Sequence, residues 1–258
     1  MDSILFSVKN EVAHITFNRP SVFNSFNREM ALAFHLLLQK CRDDKEIRAV
    51  YITGEGKAFC AGQDLAEAID ENGPGIQRIV SEHYNPIIKF LREIPKPIVA
   101  AVNGVAAGAG ANIALACDIV VAKESASFIQ AFSKIGLIPD SGGTWILPRL
   151  IGLQKATALA MLGDKVSAAD AEKMGMIYKV LSDADFIEGS WKLAEKLAKM
   201  PTKGLALTKQ LFNMTFDNTL ETQLDLEELY QATAGQTYDY SEGVNAFLEK
   251  RKPEFKGH

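Results

Sequence analysis

The sequence predicts an α/β fold, in which helices cover a mainly parallel sheet. Short runs rich in β-branched residues alternate along the chain with segments of helical spacing. Glycine-containing turns directly follow two of these runs, and β signals are absent from about Ala168 onward. We therefore expect an α/β core over residues 1–195 and a helical region over residues 196–258.

The first third of the chain predicts a hairpin, a helix and a buried strand. Apolar and polar residues alternate over 4–8 and again over 12–17, which is typical of two paired strands. The segment NREMALAFHLLLQKCRDD has helical spacing, with Asn27 as its expected N-cap. The run IRAVYIT, which ends at Gly54, predicts a buried strand.

The same alternation continues in the middle of the chain. Residues 78–92 predict a helix, KPIVAAV a strand, GANIALAC a helix and DIVVA a strand. Strands that alternate with helices are joined by parallel crossovers. The segment AIDENGPGIQ is rich in turn formers and predicts a mobile loop on the ligand side. His83 and Tyr84 either line the ligand pocket beside this loop or lie on a surface helix, and we expect the surface helix. We expect Asn103 to fix the turn before Gly104.

Composition argues against several classes of function. The chain has 28 Lys and Arg against 32 Asp and Glu, so its net charge of -4 disfavours a nucleic-acid partner. The first residues lack a signal-peptide pattern, and no apolar run reaches the ~18 residues of a membrane span, so we expect a cytoplasmic protein without membrane contact. The three cysteines lie far apart in apolar surroundings, so we expect buried, reduced thiols. The four histidines lack metal-ligand spacing, so we expect no metal.

A glycine-rich turn, AAGAGANIALAC (106–117), follows a predicted strand and opens a helix. A dinucleotide fingerprint would need glycine where Ile113 stands. A phosphate-binding loop at GEGKAF would need glycine at Tyr51 and Ser or Thr at Ala58. Two interpretations remain: the free N–H groups of the turn hold a small oxyanion, or its small residues only allow close packing.

A second turn, FCAGQDL (59–65), follows another predicted strand. An oxyanion hole needs two N–H donors, and here two separate elements of the chain can supply them. The pair of turns therefore favours the oxyanion interpretation over simple packing.

These motifs resemble those of the crotonase (enoyl-CoA hydratase/isomerase) superfamily over essentially the whole chain. The resemblance is carried by NRPSVFNSFN, AFCAGQDL, KPIVAAVNGVAAGAGANIALACDIVVA, GLIPDSGGTWILPRLIG and EGVNAFLEKRKPEFKGH. It implies a spiral core of ββα units and a C-terminal helical region that mediates trimerisation, as a homotrimer or a dimer of trimers. It also implies acyl-CoA thioester substrates and no separate cofactor, since CoA is part of the substrate.

The resemblance also assigns site residues. The backbone N–H groups of Gln63 and Ala109 are implied to hold the thioester carbonyl, with the backbone around Ala61, Asp64 and Leu65 along the CoA. Further implied substrate or CoA contacts are Gly110, Asn112, Phe132, Lys252, Phe255 and Lys256. For the last three residues, a frayed and solvated tail is an equal alternative, and for Asn112 the alternative is a hydrogen bond to buried backbone.

The carboxylates depart from the pattern of the family's hydratases. Those members carry two glutamates, where this chain has Asn112 and Phe132. One carboxylate remains, Asp140 in GLIPDSGGTW, which either caps a helix that begins near Gly143 or acts as the acid/base. Family isomerases often place their single carboxylate at this position, so the resemblance favours Asp140 as the catalytic residue.

Within the superfamily, FCAGQDL, GVAAGAGAN and AFSKIGLIPDSGGTW are most similar to the ring-epoxide isomerases of bacterial phenylacetate degradation. This implies conversion of an epoxide to an oxepin-CoA, and enzymes of that pathway as partners. Phe132 is compatible with a flat apolar ring, although a core residue would look the same. The alternatives are a Δ3,Δ2-enoyl-CoA isomerase of aliphatic chains and a non-catalytic CoA-binding or scaffold protein.

Overall fold

The computed structural model describes residues 2–258, which form ten strands in two sheets. The larger sheet has the order β1-β2-β3-β5-β7-β10 and the smaller one the order β4-β6-β8-β9. The strands are β1 (Ile4–Lys9), β2 (Val12–Phe17), β3 (Ala49–Gly54), β4 (Ala58–Cys60), β5 (Ile98–Val102), β6 (Val105–Ala107), β7 (Ile119–Lys123), β8 (Ser127–Ile129), β9 (Lys165–Ser167) and β10 (Lys179–Leu181).

The larger sheet contains the predicted hairpin and parallel strands. β1 and β2 pair antiparallel, with Ile4 opposite Phe17, and the four other strands join in parallel. Asn10 and Glu11 form the hairpin turn at φ 51° and 62°, the left-handed conformation that a tight two-residue turn requires. The predicted hairpin and the predicted parallel order are confirmed.

The smaller sheet consists of strands that the sequence pattern did not predict. β4 pairs with β6, and β6 with β8, in parallel, while β9 adds antiparallel to β8. Each of these strands has three residues, too few to show an alternating pattern. β4 and β6 follow β3 and β5 after short turns, so the chain winds from one sheet to the other before it enters a helix. This is the expected spiral of ββα units.

Twelve α-helices complete the described part of the chain, and none of them is long and apolar enough to cross a membrane. They are α1 (Arg28–Asp43), α2 (Leu65–Ala68), α3 (Gly75–Arg78), α4 (Asn85–Glu93), α5 (Ala109–Leu115), α6 (Gly143–Ile151), α7 (Leu153–Leu162), α8 (Ala168–Lys173), α9 (Phe186–Ala198), α10 (Thr202–Met214), α11 (Leu220–Gly235) and α12 (Tyr238–Leu248). Asn27 caps α1 by accepting from the Met30 N–H, as predicted.

The helix predicted over residues 78–92 is irregular. It is formed by α3, a π-helical segment at Ile79–Tyr84 and α4. The wider turns bring His83 and Tyr84 into the interior, where they are 1% and 0% exposed. The prediction of a surface helix for these two residues was therefore wrong. The wider turns of the π-helical segment change which of its side chains face the interior.

The expectation that no strand follows Ala168 was also wrong. β10 pairs in parallel with β7 and forms the edge of the larger sheet. With three residues it is too short for its sequence to show a strand pattern.

The larger sheet has a core on both faces. On one face the rings of Phe17, Phe26 and Phe34 meet edge to face, with centroids 5.1 to 6.0 Å apart. The other face is covered by α9, which packs on β3. The predicted division between residues 195 and 196 lies inside α9 and stays a prediction.

The three cysteines are buried and free, as predicted. Burial raises the pKa of Cys41, Cys60 and Cys117 to about 12, so each thiol stays protonated at neutral pH. Thiols in this state are weak nucleophiles, and they serve here as small apolar side chains.

Candidate active site

The two glycine turns meet through their backbones. A Cβ on Gly62 would lie 3.0 Å from the Ala107 carbonyl oxygen and 3.4 Å from the Ala109 nitrogen. A Cβ on Gly110 would lie 2.7 Å from the carbonyl carbon of Cys60. Such distances exclude a larger residue unless one backbone moves, so glycine at both positions allows the turns to touch.

Each turn contributes one backbone N–H that has no acceptor within residues 2–258. The neighbours of Gln63 are both bonded to Phe26: the Gly62 carbonyl accepts from the Phe26 N–H at 2.7 Å, and the Asp64 N–H donates to the Phe26 carbonyl at 2.8 Å. The N–H of Gln63 itself has no acceptor in the described chain. Ala109 is the first residue of α5, where a backbone N–H has no partner inside the helix. Two free donors on touching turns are the arrangement of an oxyanion hole.

Gly108 shapes the second turn. Its φ of 52° and ψ of −128° belong to a backbone region that residues with a side chain rarely adopt. A Cβ at this position would lie 3.8 Å from Cζ of Phe132, so the Phe132 ring packs directly over the turn. Phe132 is 6% exposed and forms an apolar wall beside the Ala109 amide.

The side chain of Gln63 is fixed from two directions. It accepts a hydrogen bond from the Tyr84 hydroxyl at 2.8 Å and donates to the Glu67 carboxylate at 2.9 Å. Glu67 in turn accepts from the backbone N–H of Arg28 at 2.8 Å. Burial raises the pKa of Tyr84 well above its usual value, so its hydroxyl remains a donor. Sequence reasoning missed Glu67, although it stands four residues after Gln63, and gave Tyr84 only as the less favoured candidate for lining the pocket.

Asp140 does not cap α6. The helix begins at Gly143 without a side-chain cap, and Gly143 donates its N–H to the backbone carbonyl of Asp140 at 2.8 Å. The Asp140 carboxylate instead accepts from the Ser141 hydroxyl at 2.9 Å. Burial raises the pKa of Asp140, and the Ser141 bond opposes this shift only in part. The capping interpretation was wrong, and the carboxylate is available for chemistry.

Asp140 is linked to the helix that begins at Ala109. Asn112 in this helix, α5, donates from Nδ2 to the Asp140 carbonyl oxygen at 2.8 Å. A single carboxylate with a raised pKa and two free N–H groups are thus brought together, which suits proton abstraction beside a carbonyl.

Asn112, which the resemblance places at the position of the first hydratase glutamate, is engaged by protein groups. Its Nδ2 donates to the Asp140 carbonyl oxygen at 2.8 Å, and its Oδ1 accepts from Gln130 Nε2 at 2.8 Å. Asn112 is 1% exposed. This agrees with the alternative that Asn112 satisfies buried backbone, and its contact with substrate stays a prediction.

The residues implied to lie along the CoA form one continuous turn. Ala61 donates its N–H to the Phe23 carbonyl at 3.0 Å, and Asp64 caps α2 while its carboxylate pairs with Arg19 at 2.9 Å. Leu65 is 54% exposed and presents its side chain to solvent. Asp64 therefore holds the turn in shape, and Leu65 offers an apolar surface beside it.

The C-terminal tail with Lys252, Phe255 and Lys256 is anchored, so the frayed-tail alternative was wrong. The buried carboxylate of Asp239 accepts from the backbone N–H of Lys256 at 2.6 Å and of Gly257 at 2.8 Å. Arg48 donates to the Phe255 carbonyl at 2.8 Å. These contacts hold the tail beside the start of β3, and the structure does not bring it to the Gln63 and Ala109 turns of the same chain.

The fold and this geometry agree with the comparisons to known proteins. Residues 7–258 match the family model "Enoyl-CoA hydratase/isomerase", and the chain belongs to this family of enzymes, with the crotonase fold. Among its relatives, the 1,2-epoxyphenylacetyl-CoA isomerase of Escherichia coli (strain K12) is 49% identical over 100% of this chain and 99% of the relative.

Two other relatives cover almost the whole chain. The trans-2-decenoyl-[acyl-carrier-protein] isomerase of Streptococcus mutans is 35% identical over 98% of both chains. The crystal structure of an enoyl-CoA hydratase/isomerase from Cupriavidus metallidurans CH34 superposes with a TM-score of 0.91 at 32% identity. That superposition covers 100% of this chain and 97% of the other.

Proposed function

We propose that this protein is an acyl-CoA isomerase that works through a thioester enolate, with Asp140 as its only proton shuttle. The observation that carries the proposal is the pairing of two free N–H groups, on Gln63 and Ala109, with one half-buried carboxylate. Asn112 and Phe132, at the positions of the hydratase glutamates, cannot replace a carboxylate in proton transfer.

In the proposed reaction the Asp140 carboxylate removes a proton from a carbon next to the thioester carbonyl or conjugated with it. The electron pair of that C–H bond moves into the carbonyl, and the negative charge on its oxygen is held by the Gln63 and Ala109 N–H groups. The protonated Asp140 then returns the proton at another carbon. A raised pKa favours the first step, because it makes the Asp140 carboxylate a stronger base toward a C–H proton than an exposed aspartate.

For the substrate we propose 2-(1,2-epoxy-1,2-dihydrophenyl)acetyl-CoA, which would be converted to oxepin-CoA in phenylacetate catabolism. The name of the Escherichia coli relative supports this substrate, at 49% identity over the full chain. The Phe132 ring over Gly108 supports it as well, since a flat apolar wall complements a ring. Enzymes of the same pathway are the proposed partners for an unstable epoxide.

A Δ3,Δ2-enoyl-CoA isomerase of aliphatic chains is the second candidate. Leu65, Ile69 and Ile76, in the segment that follows the Gln63 turn, expose 54%, 81% and 46% of their surface, which offers apolar area for an alkyl chain. The Streptococcus mutans relative carries the name of an isomerase of a decenoyl chain. A non-catalytic scaffold is disfavoured by Asp140, because a half-buried carboxylate without a structural partner beyond Ser141 lowers stability.

We propose further that the protein assembles as a homotrimer or a dimer of trimers in the cytoplasm. The C-terminal helices expose large apolar side chains, including Phe212 at 68%, Phe247 at 82% and Leu248 at 72%. The anchored tail with Lys252, Phe255 and Lys256 is proposed to contact the nucleotide end of CoA held by a neighbouring protomer. Sedimentation equilibrium distinguishes these assemblies from a monomer.

The function is tested by proton exchange in heavy water, followed by NMR with phenylacetyl-CoA and with 3-hexenoyl-CoA. Wild type is compared with Asp140→Asn and with Asp183→Asn, a control in which an exposed carboxylate paired with Lys123 is removed. We expect wild type and the control to exchange protons or isomerise the substrate, and Asp140→Asn to lose both. The relative rates on the two substrates separate the ring candidate from the chain candidate.

Two results would refute the proposal. Binding of both thioesters without exchange by wild type would indicate a scaffold. Exchange by Asp140→Asn at the wild-type rate would remove Asp140 from the mechanism.

A further inference from the structure

We propose that Asn112 is a positioning residue that ties Asp140 to the helix carrying the Ala109 donor, and that Gln130 orients Asn112 for this task. The inference rests on the proposed function, because it assumes that Asp140 exchanges a proton with a substrate held at Ala109.

The first argument is the place of Asn112 in α5. Ala109 is the first residue of this helix, and Asn112 follows three residues later. Three residues span about 4.5 Å along a helix axis, so Ala109 and Asn112 belong to the same helical turn. The Asn112 amide reaches the backbone of Asp140 from this turn at 2.8 Å. The segment that carries the carboxylate is thus bonded directly to the helix that carries the oxyanion donor.

The second argument is the direction of the hydrogen bonds. The partner of Asn112 at Asp140 is a carbonyl oxygen, which only accepts, so the Asn112 NH₂ group must face it. The Asn112 oxygen then faces Gln130, which must present its own NH₂ group. Gln130 is 4% exposed and its Oε1 has no partner within residues 2–258. The Asp140 carbonyl therefore fixes the orientation of both side-chain amides. Gln130 donates to Asn112 although the Oε1 atom of Gln130 itself has no hydrogen-bond partner there.

The third argument is the space left for the amide. A Cβ on Gly143, the first residue of α6, would lie 2.7 Å from Cγ of Asn112. Gly143 also donates to the Asp140 carbonyl oxygen, so this oxygen receives two hydrogen bonds. Asn112 is therefore packed against the backbone on both sides of the Asp140–Gly142 turn, in which Ser141 has φ 50°. A turn with a non-glycine residue in this conformation needs such support.

The test is a double-mutant cycle with Asn112→Ala and Gln130→Met, assayed with whichever thioester wild type turns over. The matched control is Asn213→Ala, which removes a partly buried asparagine that also donates to a backbone carbonyl, that of Arg92, at 2.9 Å. Displacement of a catalytic group by about 1 Å can cost 10²-fold in rate. We expect Asn112→Ala to lower kcat by about 10- to 100-fold with KM within about threefold of wild type.

Gln130→Met is expected to lower kcat less, and to have no further effect when Asn112 is already alanine, because Gln130 acts through Asn112. Asn213→Ala is expected to lower stability without changing kcat.

The outcomes separate this inference from the proposed function. Inactive wild type would overturn the function itself. Active wild type with an unchanged kcat for Asn112→Ala would overturn only the inference. Additive effects of the two substitutions on log kcat would overturn the role of Gln130. A fall in kcat for Asn213→Ala as large as that for Asn112→Ala would show that lost stability, not positioning, explains the result.

Discussion

Substitution of Gly62 by alanine is expected to damage the proposed oxyanion hole far more than the fold. Gly62 has φ 96°, so alanine there adopts a conformation that costs an L-residue about 1–2 kcal/mol. Its Cβ would lie 3.0 Å from the Ala107 carbonyl oxygen and 3.4 Å from the Ala109 nitrogen. The first distance is shorter than side chains normally tolerate, so the turn that carries the Ala109 N–H must move by a few tenths of an ångström.

The size of the effect follows from the proposed role of the Ala109 N–H as an oxyanion donor. Complete loss of one oxyanion donor costs about 10²–10³ in kcat, so partial displacement is expected to cost about 10- to 100-fold. The matched control is Gly175→Ala. Gly175 has φ 81°, and the nearest atom to its Cβ would be the Leu150 carbonyl oxygen at 3.7 Å. Both variants carry similar backbone strain, and a loss of about 1 kcal/mol lowers Tm by about 2–4 °C in a chain of this size.

The assay combines thermal unfolding with steady-state turnover of a thioester that wild type isomerises. We expect both variants to lose a few degrees in Tm, and only Gly62→Ala to lose turnover. A Gly62→Ala variant with wild-type kcat would refute the assignment of Ala109 as an oxyanion donor. A Gly175→Ala variant with an equally low kcat would attribute the loss to strain alone.

Three further predictions concern stability. Burial raises the pKa of Asp140, so its charged form destabilises the folded state above the ordinary pKa of about 4. Asp140→Asn is therefore expected to be more stable than wild type at pH 7 and equal to it near pH 4, as measured by urea unfolding; no difference at pH 7 would contradict the buried charge. Gly204→Ala in α10, whose Cβ would meet only Pro201 at 3.9 Å, is expected to stabilise by about 0.5–1 kcal/mol. Gly143→Ala is expected to destabilise by about 1–3 kcal/mol in the same assay, because its Cβ would strike Asn112; stabilisation of both variants would contradict the tight packing at Gly143.

The long elements could be predicted from the sequence because their periodicity extends over enough residues. The hairpin of β1 and β2, helix α1 and the strands β3, β5 and β7 all correspond to patterns in the sequence. The smaller sheet could not be predicted, since its strands have three residues each and are fixed by pairing with distant segments. The π-helical segment at Ile79–Tyr84 was missed for a related reason, because its turns break the regular helical spacing.

The site was predictable where a turn has a glycine signature and less so where side chains meet across the fold. The glycines at 62, 108 and 110 marked the two turns, and the structure brings these turns into contact. The bond from Tyr84 to Gln63 joins residues that are 21 positions apart, and the bond from Gln130 to Asn112 joins residues 18 positions apart. No local pattern reveals such pairs, because they depend on how the two sheets place their connecting segments.

The contact between the backbones at Cys60 and Gly110 has a consequence for redesign of the enzyme. Because the turns touch through main-chain atoms, neither can be lengthened or shifted without the other. The spacing of the two proposed donors is therefore independent of the side chains that surround the acyl group. If the proposed function holds, variation of residues 65–78, where Leu65 and Ile69 are exposed, is expected to alter the choice of acyl group while the two donors keep their spacing. Libraries built on this scaffold should thus vary that segment and leave both glycines unchanged.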